Sequence, residues 1–279
     1  MECPKTMILT DSFLPFLEEG KEEGEEPRYI VKLREVPHLP KVQGKELFHN
    51  QDYAVFVDEK ERFLRVWHDH KEEDWPYAVS RFVPEERKVL IDYLPEGSKF
   101  FKESGNSFFH IGWETLLIRE NRMILHASCI DTEMGGILFT GPSGIGKSTQ
   151  AKLWCQYQGA ELINGDRAVV AKEDQQWSAY GSPYAGSSRC YVNKNCRIGA
   201  VVVLKQAERC MIRKMAAGEA FCRIFSGLTV NNWDRNFVNR ACDLVQMLLT
   251  EIPVYELACT PDRDAVDILY HALKQGGTV

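Results

Sequence analysis

The first third of the chain alternates short apolar runs with polar or Pro/Gly clusters. Residues 29–33, Tyr53–Val57, 63–67, 89–93 and 108–111 are rich in aromatic and β-branched side chains. Charged or Pro/Gly-containing clusters at 58–62, 84–88 and 95–99 separate several of these runs. This spacing predicts short strands in an antiparallel, meander-like arrangement. Residues 113–119 fit either a short helix or a strand.

The pattern changes near residue 124, where strand-like runs begin to alternate with segments of helical periodicity. The predicted strands are Gly136–Thr140, 161–163, 168–171, 198–204 and Val254–Cys259. The predicted helices are Lys147–Gln158, 217–225, 235–250 and a terminal helix over 261–275. We place Thr260 at the N-cap of that last helix and Pro261 at its first position. The pattern therefore predicts a mixed α/β protein, with a mainly β region over residues 1–112 and a second domain over 113–279.

Composition narrows the classes of function. The chain has 279 residues, a net charge of −6 and a pI near 5.7, so it has no global positive field for nucleic acid or an anionic membrane. No run approaches the roughly 20 apolar residues that span a bilayer, and the first residues lack the order of a signal peptide. We expect a cytoplasmic protein without nucleic-acid or membrane partners, and leave open a homo-oligomer.

Two further features favour a soluble, reduced protein. Residues 18–26 read EEGKEEGEE, a like-charge run that is typical of a solvated loop, with an acidic docking site as the alternative. The nine cysteines are scattered from Cys3 to Cys259 without a CxxC pair. This usage indicates reduced, buried thiols rather than a disulfide framework.

One segment carries specific chemistry: the glycine-rich loop, residues 141–148, matches GxxxxGK[ST] between a predicted strand and a predicted helix. Its glycines permit unusual backbone conformations, and its successive N–H groups and the following helix N-terminus attract phosphate. Lys147 would neutralise the outer phosphates of ATP, and Ser148 would bind Mg²⁺. The predicted nucleotide contacts are Gly141, Pro142, Ser143, Gly144, Ile145, Gly146, Lys147, Ser148 and Thr149.

Phosphoryl transfer also needs an acid that binds metal or takes the acceptor's proton. Asp166, just after the strand at 161–163, is the candidate for both roles, although Asn-Gly-Asp is also good turn chemistry. Lys205 stands at the end of the strand predicted over 198–204. Proteins with this type of phosphate-binding loop usually have an acidic metal ligand at such a position. This departure indicates an unusual subclass in which Asp166 serves instead.

Other candidate residues have simpler alternative interpretations. His126 lies one strand upstream of the glycine-rich loop, but a lone histidine is more often a hydrogen-bonded core residue. His68 and His70 form a potential metal pair or simply lie on an exposed strand face or turn. Arg189 ends a small-residue loop at 181–189 and is either an anion contact for substrate or part of a plain surface loop.

Three runs together resemble the catalytic domain of HPr kinase/phosphorylase. They are HASCI from His126, GGILFTGPSGIGKST over 135–149, and GAELINGDR over 159–167. The resemblance implies a P-loop domain of the HPr kinase/phosphoenolpyruvate carboxykinase type, with ATP and Mg²⁺ on the loop and His126 beside the catalytic Asp166. The family often carries two adjacent aspartates there, whereas this chain has Gly165 at the first position. The phosphorylase signature and the family's regulatory domain are not recognisable, so we expect an acceptor other than HPr.

The leading hypothesis is an ATP-dependent kinase that phosphorylates a hydroxyl, by resemblance a serine hydroxyl, of a protein, peptide or small molecule. Lys147, His126 and Asp166 would form its catalytic set, and the region 1–112 would recognise substrate or partner. A non-catalytic ATP-binding regulatory module is the second hypothesis, favoured by Gly165. A carboxykinase-like enzyme acting on a small carboxylic acid is the third.

Overall fold

The computed structural model describes residues 2, 4, 10–17, 27–59, 62–69, 75–102, 104–184 and 186–276. The chain divides into two compact units, Met1–Trp113 and Glu114–Val279. The acidic run at 18–26 and His70 lie outside the described residues.

The first unit contains a six-stranded sheet in the order β1-β6-β5-β4-β3-β2. Its strands are β1 (Ile30–Glu35), β2 (Lys45–His49), β3 (Tyr53–Val57), β4 (Phe63–Asp69), β5 (Trp75–Val83) and β6 (Lys88–Tyr93). Strands β2 to β6 form an antiparallel meander, as the spacing predicts. β1 joins β6 in parallel. Neither β2 nor β5 was predicted. β2 is almost wholly exposed, so it lacks a buried alternating face.

The predicted strand at 108–111 is wrong, because these residues end helix α1 (Ser104–Ile111). His110 and Ile111 are buried. The Nε2 atom of His110 lies 2.7 Å from the Tyr77 hydroxyl, and its carbonyl accepts a 2.9 Å hydrogen bond from Ser80. Gly112, at φ 72°, ends the helix in the left-handed region. A short apolar run does not distinguish helix from strand, and these tertiary contacts select the helix. The ambiguous segment that follows is helix α2 (Trp113–Arg119).

The second unit contains an eight-stranded sheet in the order β11-β10-β7-β8-β12-β14-β13, with β9 also paired to β7. Its strands are β7 (Arg122–Asp131), β8 (Gly136–Thr140), β9 (Glu161–Asn164), β10 (Arg167–Glu173), β11 (Gln176–Tyr180), β12 (Asn195–Gln206), β13 (Met211–Lys214) and β14 (Val254–Cys259). β8, β12 and β14 are parallel neighbours, whereas β7, β9, β10, β11 and β13 pair antiparallel. The mixed α/β class is therefore confirmed.

Helices cover both faces of this sheet. They are α3 (Lys147–Gln158), α4 (Ala217–Gly227), α5 (Arg235–Glu251) and α6 (Arg263–Gly276). On β8, Leu138 packs into the core that includes α4 and α5, while Phe139 packs into the core with α3 and α6. The same alternation places Val201 and Val202 of β12 on opposite faces. Burial on both faces explains why this strand reads as a continuous apolar run.

The start of α6 differs from the prediction. The helix begins at Arg263, and the Oδ1 atom of Asp262 accepts hydrogen bonds from the backbone N–H groups of Asp264 and Ala265, at 3.1 and 3.4 Å. Asp262 is therefore the N-cap, a role that aspartate fills well. Thr260 instead hydrogen-bonds the other Asp262 oxygen at 2.6 Å, and Pro261 precedes the helix.

The eight cysteines in the described part of the chain are free thiols, as predicted. Only Cys129, Cys196 and Cys259 are buried, and Cys222 is exposed. Cys3 lies outside the described residues. Among the described helices, none combines the length and apolar character needed to cross a membrane.

Candidate functional site

The glycine-rich loop connects the buried strand β8 to the N-terminus of α3. Three of its glycines have positive φ: Gly141 at 145°, Gly144 at 77° and Gly146 at 110°. A Cβ atom on Gly144 or Gly146 would meet no atom within 4 Å, whereas one on Gly141 would approach Ile145 at 3.2 Å. Backbone conformation therefore requires glycine at 144 and 146, and the space beside them is open to a ligand.

Lys147 is folded onto this loop. Its Nζ atom donates hydrogen bonds to the carbonyl oxygens of Gly141 and Pro142, each at 3.1 Å, and the residue is 7% exposed. Burial is the main cause that lowers the pKa of Lys147; the Asp166 charge raises it and the Arg167 charge lowers it further. The two charges therefore act on the pKa of Lys147 in opposite directions.

The other predicted nucleotide contacts occupy the accessible side of the loop. Ser148 is half-buried on the first turn of α3, and Thr149 beside it is exposed. Pro142, Ser143 and Gly144 are also exposed. The helix N-terminus and the loop N–H groups thus lie at the carboxyl end of β8, where a phosphate can reach them.

Asp166 lies in a tight turn between β9 and β10 that is built on the buried Asn164. The Oδ1 atom of Asn164 accepts hydrogen bonds from the backbone N–H groups of Asp166 and Arg167, at 2.8 and 2.7 Å. Its Nδ2 atom donates to the carbonyl of Tyr184 at 3.0 Å. Asparagine bonds its own following backbone well in such turns. The predicted turn chemistry and the predicted site residue therefore occur together.

His126 and Asp166 meet across the β7–β10 pair, in which His126 lies opposite Arg167. The His126 Nε2 atom lies 3.1 Å from Asp166 Oδ1, and Arg167 Nε lies 3.7 Å from Asp166 Oδ2. Burial raises the pKa of Asp166, but the hydrogen bond from His126 and the charges of His126, Arg167 and Lys147 together bring it below its ordinary value. Asp166 is therefore ionised at neutral pH.

Gly165 occupies the position at which the resembled family often has a second aspartate. Its carbonyl accepts a 2.8 Å hydrogen bond from Ser128 Oγ, and Ser128 is fully buried on β7. This bond ties the turn to the strand that carries His126. The backbone at position 165 is thus held in place, and Asp166 is the side chain that the turn presents.

Gly186, in the small-residue loop at 181–189, lies close to Asp166. Gly186 has φ 52°, and a Cβ atom there would lie 2.9 Å from both Cβ and Cγ of Asp166. Arg189, the predicted anion contact, lies just beyond the turn Gly186–Ser188 and is exposed. Among the described residues, Arg189 makes no hydrogen bond or ion pair with His126, Lys147 or Asp166. The structure therefore brings His126 and Asp166 together without Arg189.

Arg167 lies beside Asp166 and is not among the site residues predicted from the sequence. Its Nη1 atom donates a 3.0 Å hydrogen bond to Thr229 Oγ1, and its guanidinium carbon lies 5.8 Å from the centre of the Tyr184 ring. Its position directly after Asp166 is the one sequence feature that points to it. The orientation of its side chain depends on residues far along the chain, which the local sequence does not reveal.

The residues considered as metal ligands do not form a ready-made cluster in the described part of the chain. Within the described ranges, no cluster of three His, Cys, Asp or Glu side chains is arranged to hold an ion. His68 lies in β4 with its ring 5.7 Å from that of His49, and His70 is outside the described residues. Lys205 is exposed near the end of β12.

No protein-family model matches the chain, and no curated protein matches it. Among solved structures, that of the HPr(Ser) kinase/phosphatase from Coxiella burnetii is similar, with 16% identity and a TM-score of 0.33 over 55% of this chain and 93% of that one. A likeness of this extent carries no argument about function.

Proposed function

We propose that this protein binds ATP on its glycine-rich loop and transfers the γ-phosphoryl group to a hydroxyl, with serine as the expected acceptor. The observation that carries the proposal is the 3.1 Å contact of Asp166 with His126, whose carbonyl accepts a 3.0 Å hydrogen bond from Thr140, the residue directly before the GxxxxGKS loop. The sequence resemblance of 126–167 to HPr kinase supports the same reaction.

The loop supplies the groups that a triphosphate needs. Its N–H groups and the positive end of the α3 dipole attract phosphate oxygens. Lys147 bonds two carbonyl oxygens of the loop, and it would exchange these for the charged oxygens of the outer phosphates. Charge-assisted bonds of this kind are stronger than bonds to neutral carbonyls.

Ser148 and Asp166 are the residues that would hold Mg²⁺. This ion usually takes one or two protein oxygen ligands and completes its shell with phosphate and water. A hydroxyl on the first turn of α3 and an ionised carboxylate fit that donor set. When bound, Mg²⁺ would neutralise charge on the phosphates.

Asp166 would accept the proton of the acceptor hydroxyl. A bond forms between the acceptor oxygen and the γ-phosphorus, the bond to the β–γ bridging oxygen breaks, and its electron pair leaves with ADP. An aspartate performs this task in protein kinases. His126 would hold the Asp166 carboxylate in one orientation through the 3.1 Å contact.

One observation favours a second candidate, a non-catalytic ATP-binding module. Gly165 stands where a second acid would assist transfer, and its carbonyl is tied to Ser128. In that case ATP binding would alter how the protein engages a partner. Nucleotide would raise the melting temperature without turnover.

The decisive experiment is transfer of labelled γ-phosphate. We expect the purified full-length protein, with Mg²⁺ and labelled ATP, to label a protein or peptide from its native lysate, or one encoded beside it, at serine, located by mass spectrometry. Asp166→Asn should abolish labelling while calorimetry shows retained ATP binding. ATP binding by the wild type with no labelled acceptor, including itself, would favour the binding module. Labelling that persists in Asp166→Asn would remove Asp166 from the mechanism.

A further inference from the structure

Arg167 is held beside Asp166 from three directions. It begins β10, its Nη1 atom bonds Thr229 in the segment after α4, and its guanidinium faces the Tyr184 ring. Fixing a guanidinium in this way reduces the conformational entropy that is lost when it binds a ligand. The arrangement therefore presents a prepositioned cation next to the candidate base.

The contact between Arg167 and Asp166 is not a close ion pair. The Nε–Oδ2 distance is 3.7 Å, beyond the usual length of a hydrogen bond, whereas His126 approaches the other carboxylate oxygen to 3.1 Å. His126 is thus the closer partner of Asp166. Thr229 and Tyr184 also hold the guanidinium, so pairing with Asp166 alone does not explain its position.

The charge balance at this point favours an anion. Arg167 lies opposite His126, whose carbonyl accepts a 3.0 Å hydrogen bond from Thr140. Thr140 directly precedes the loop that carries Lys147, so the cations Arg167 and Lys147 lie in adjoining segments. Asp166 is the carboxylate beside Arg167, at 3.7 Å. A phosphoryl group entering from the glycine-rich loop would meet both cations.

We propose that Arg167 contacts the γ-phosphoryl group during transfer and stabilises the charge on its oxygens. This inference rests on the proposed kinase function and adds a specific residue to it. In phosphoryl transfer the charge is spread over three equatorial oxygens, and an arginine that contacts them accelerates the reaction strongly. Arg167 exchanges no proton in this step, and Thr229 and Tyr184 are positioning residues.

A transition-state mimic tests this role without knowledge of the acceptor. Calorimetry would compare the affinity of the full-length protein for Mg²⁺–ADP alone and for Mg²⁺–ADP with aluminium fluoride, which imitates the transferring phosphoryl group. For Arg167→Met we expect the gain from fluoride to fall by at least about tenfold, with affinity for Mg²⁺–ADP changed by less than about twofold. Thr229→Val should lose part of the gain, because the guanidinium keeps its charge but loses one anchor.

Arg122→Met is the matched control. Arg122 forms an ion pair with Glu173 at the far end of the same β7–β10 pair. Its substitution should leave the affinities for Mg²⁺–ADP, with and without aluminium fluoride, unchanged. A wild-type gain that Arg167→Met fully retains would overturn the inference and leave the kinase proposal standing. A wild type that binds Mg²⁺–ADP but gains nothing from fluoride would overturn both. If Arg167→Met does not fold, Thr229→Val and Arg167→Lys take its place. A full gain in affinity from aluminium fluoride in both folded variants would overturn the inference.

Discussion

His126 Nε2 lies 3.1 Å from Asp166 Oδ1, and this contact is produced by strand register rather than by closeness in sequence. β7 and β10 pair antiparallel with His126 opposite Arg167, which brings the carboxylate of the preceding residue to the imidazole. The contact helps keep Asp166 ionised and holds one oxygen of its carboxylate.

The role of His126 can be measured by a pH–rate profile. His126→Leu removes a hydrogen bond and a charge that lower the pKa of Asp166, so that pKa should rise. The acid limb of kcat/KM should then move to higher pH, and the rate at neutral pH should fall by about tenfold or more. His49→Leu, a half-exposed histidine of β2, should leave the profile unchanged. An unmoved acid limb in His126→Leu would show that the contact does not tune Asp166.

The same pKa shift predicts an acid dependence of stability. Because the pKa of Asp166 in the folded protein lies below its ordinary value of 3.8, the ionised carboxylate contributes stability that is fully present above 3.8. This contribution is lost as pH falls through the lower, folded pKa. The difference in unfolding free energy between wild type and Asp166→Asn should be constant above about pH 5 and shift against the wild type below 3.8. Urea unfolding at several pH values would measure it, and a pH-independent difference would contradict the assignment.

Asn164 should matter for both stability and transfer. Asn164→Ala removes the acceptor of two backbone N–H groups in a fully buried site. We expect a loss of roughly 2–4 kcal/mol in unfolding free energy, since unsatisfied buried groups cost about 1–3 kcal/mol each. The transfer rate should fall more than ATP affinity, because the turn positions Asp166 but is separate from the glycine-rich loop. Asn239→Ala, on the exposed side of α5, should change stability by less than about 0.5 kcal/mol. Equal effects of the two variants would refute this role.

Gly186 provides a way to displace Asp166 without touching the nucleotide loop. Gly186→Ala places a Cβ atom 2.9 Å from Asp166 Cβ and Cγ at a φ of 52°, so one of the two residues must shift. A misplacement of this size can reduce a rate by about 100-fold. Affinity for ATP should remain near that of wild type. Gly218→Ala, where a Cβ atom meets nothing within 4 Å, is the control and should leave the rate unchanged. Full activity in Gly186→Ala would show that the position of Asp166 is not critical.

The parts of the fold that the sequence predicts well are those with strong local signals. The segment from β8 through α3 was predicted with its observed bounds, because a fully buried strand, three positive-φ glycines and a helical run follow one another. The existence of β9, β10, β12 and β14 was likewise evident. Each of these signals comes from residues adjacent in the chain.

The features that escaped prediction depend on distant contacts. The helix at Ser104–Ile111 is stabilised by the contacts of His110 with Tyr77 and Ser80. The alignment of β7 with β10 cannot be read from either strand alone, so the His126–Asp166 contact rested on family resemblance. The orientation of Arg167 depends on Thr229, which follows α4. The N-cap of α6 was missed because Thr260 and Asp262 are both good caps and differ only in which backbone groups they reach.

The most direct test of the central claim is calorimetric titration of Mg²⁺–ATP into wild-type protein and Lys147→Ala. Lys147 would exchange two carbonyl contacts for phosphate oxygens, so the account predicts measurable binding to the wild type and at least about tenfold weaker binding to the variant. Circular dichroism should show that both are folded. Equal affinity in the two proteins, or a folded wild type that does not bind ATP, would contradict the claim that this loop holds a triphosphate.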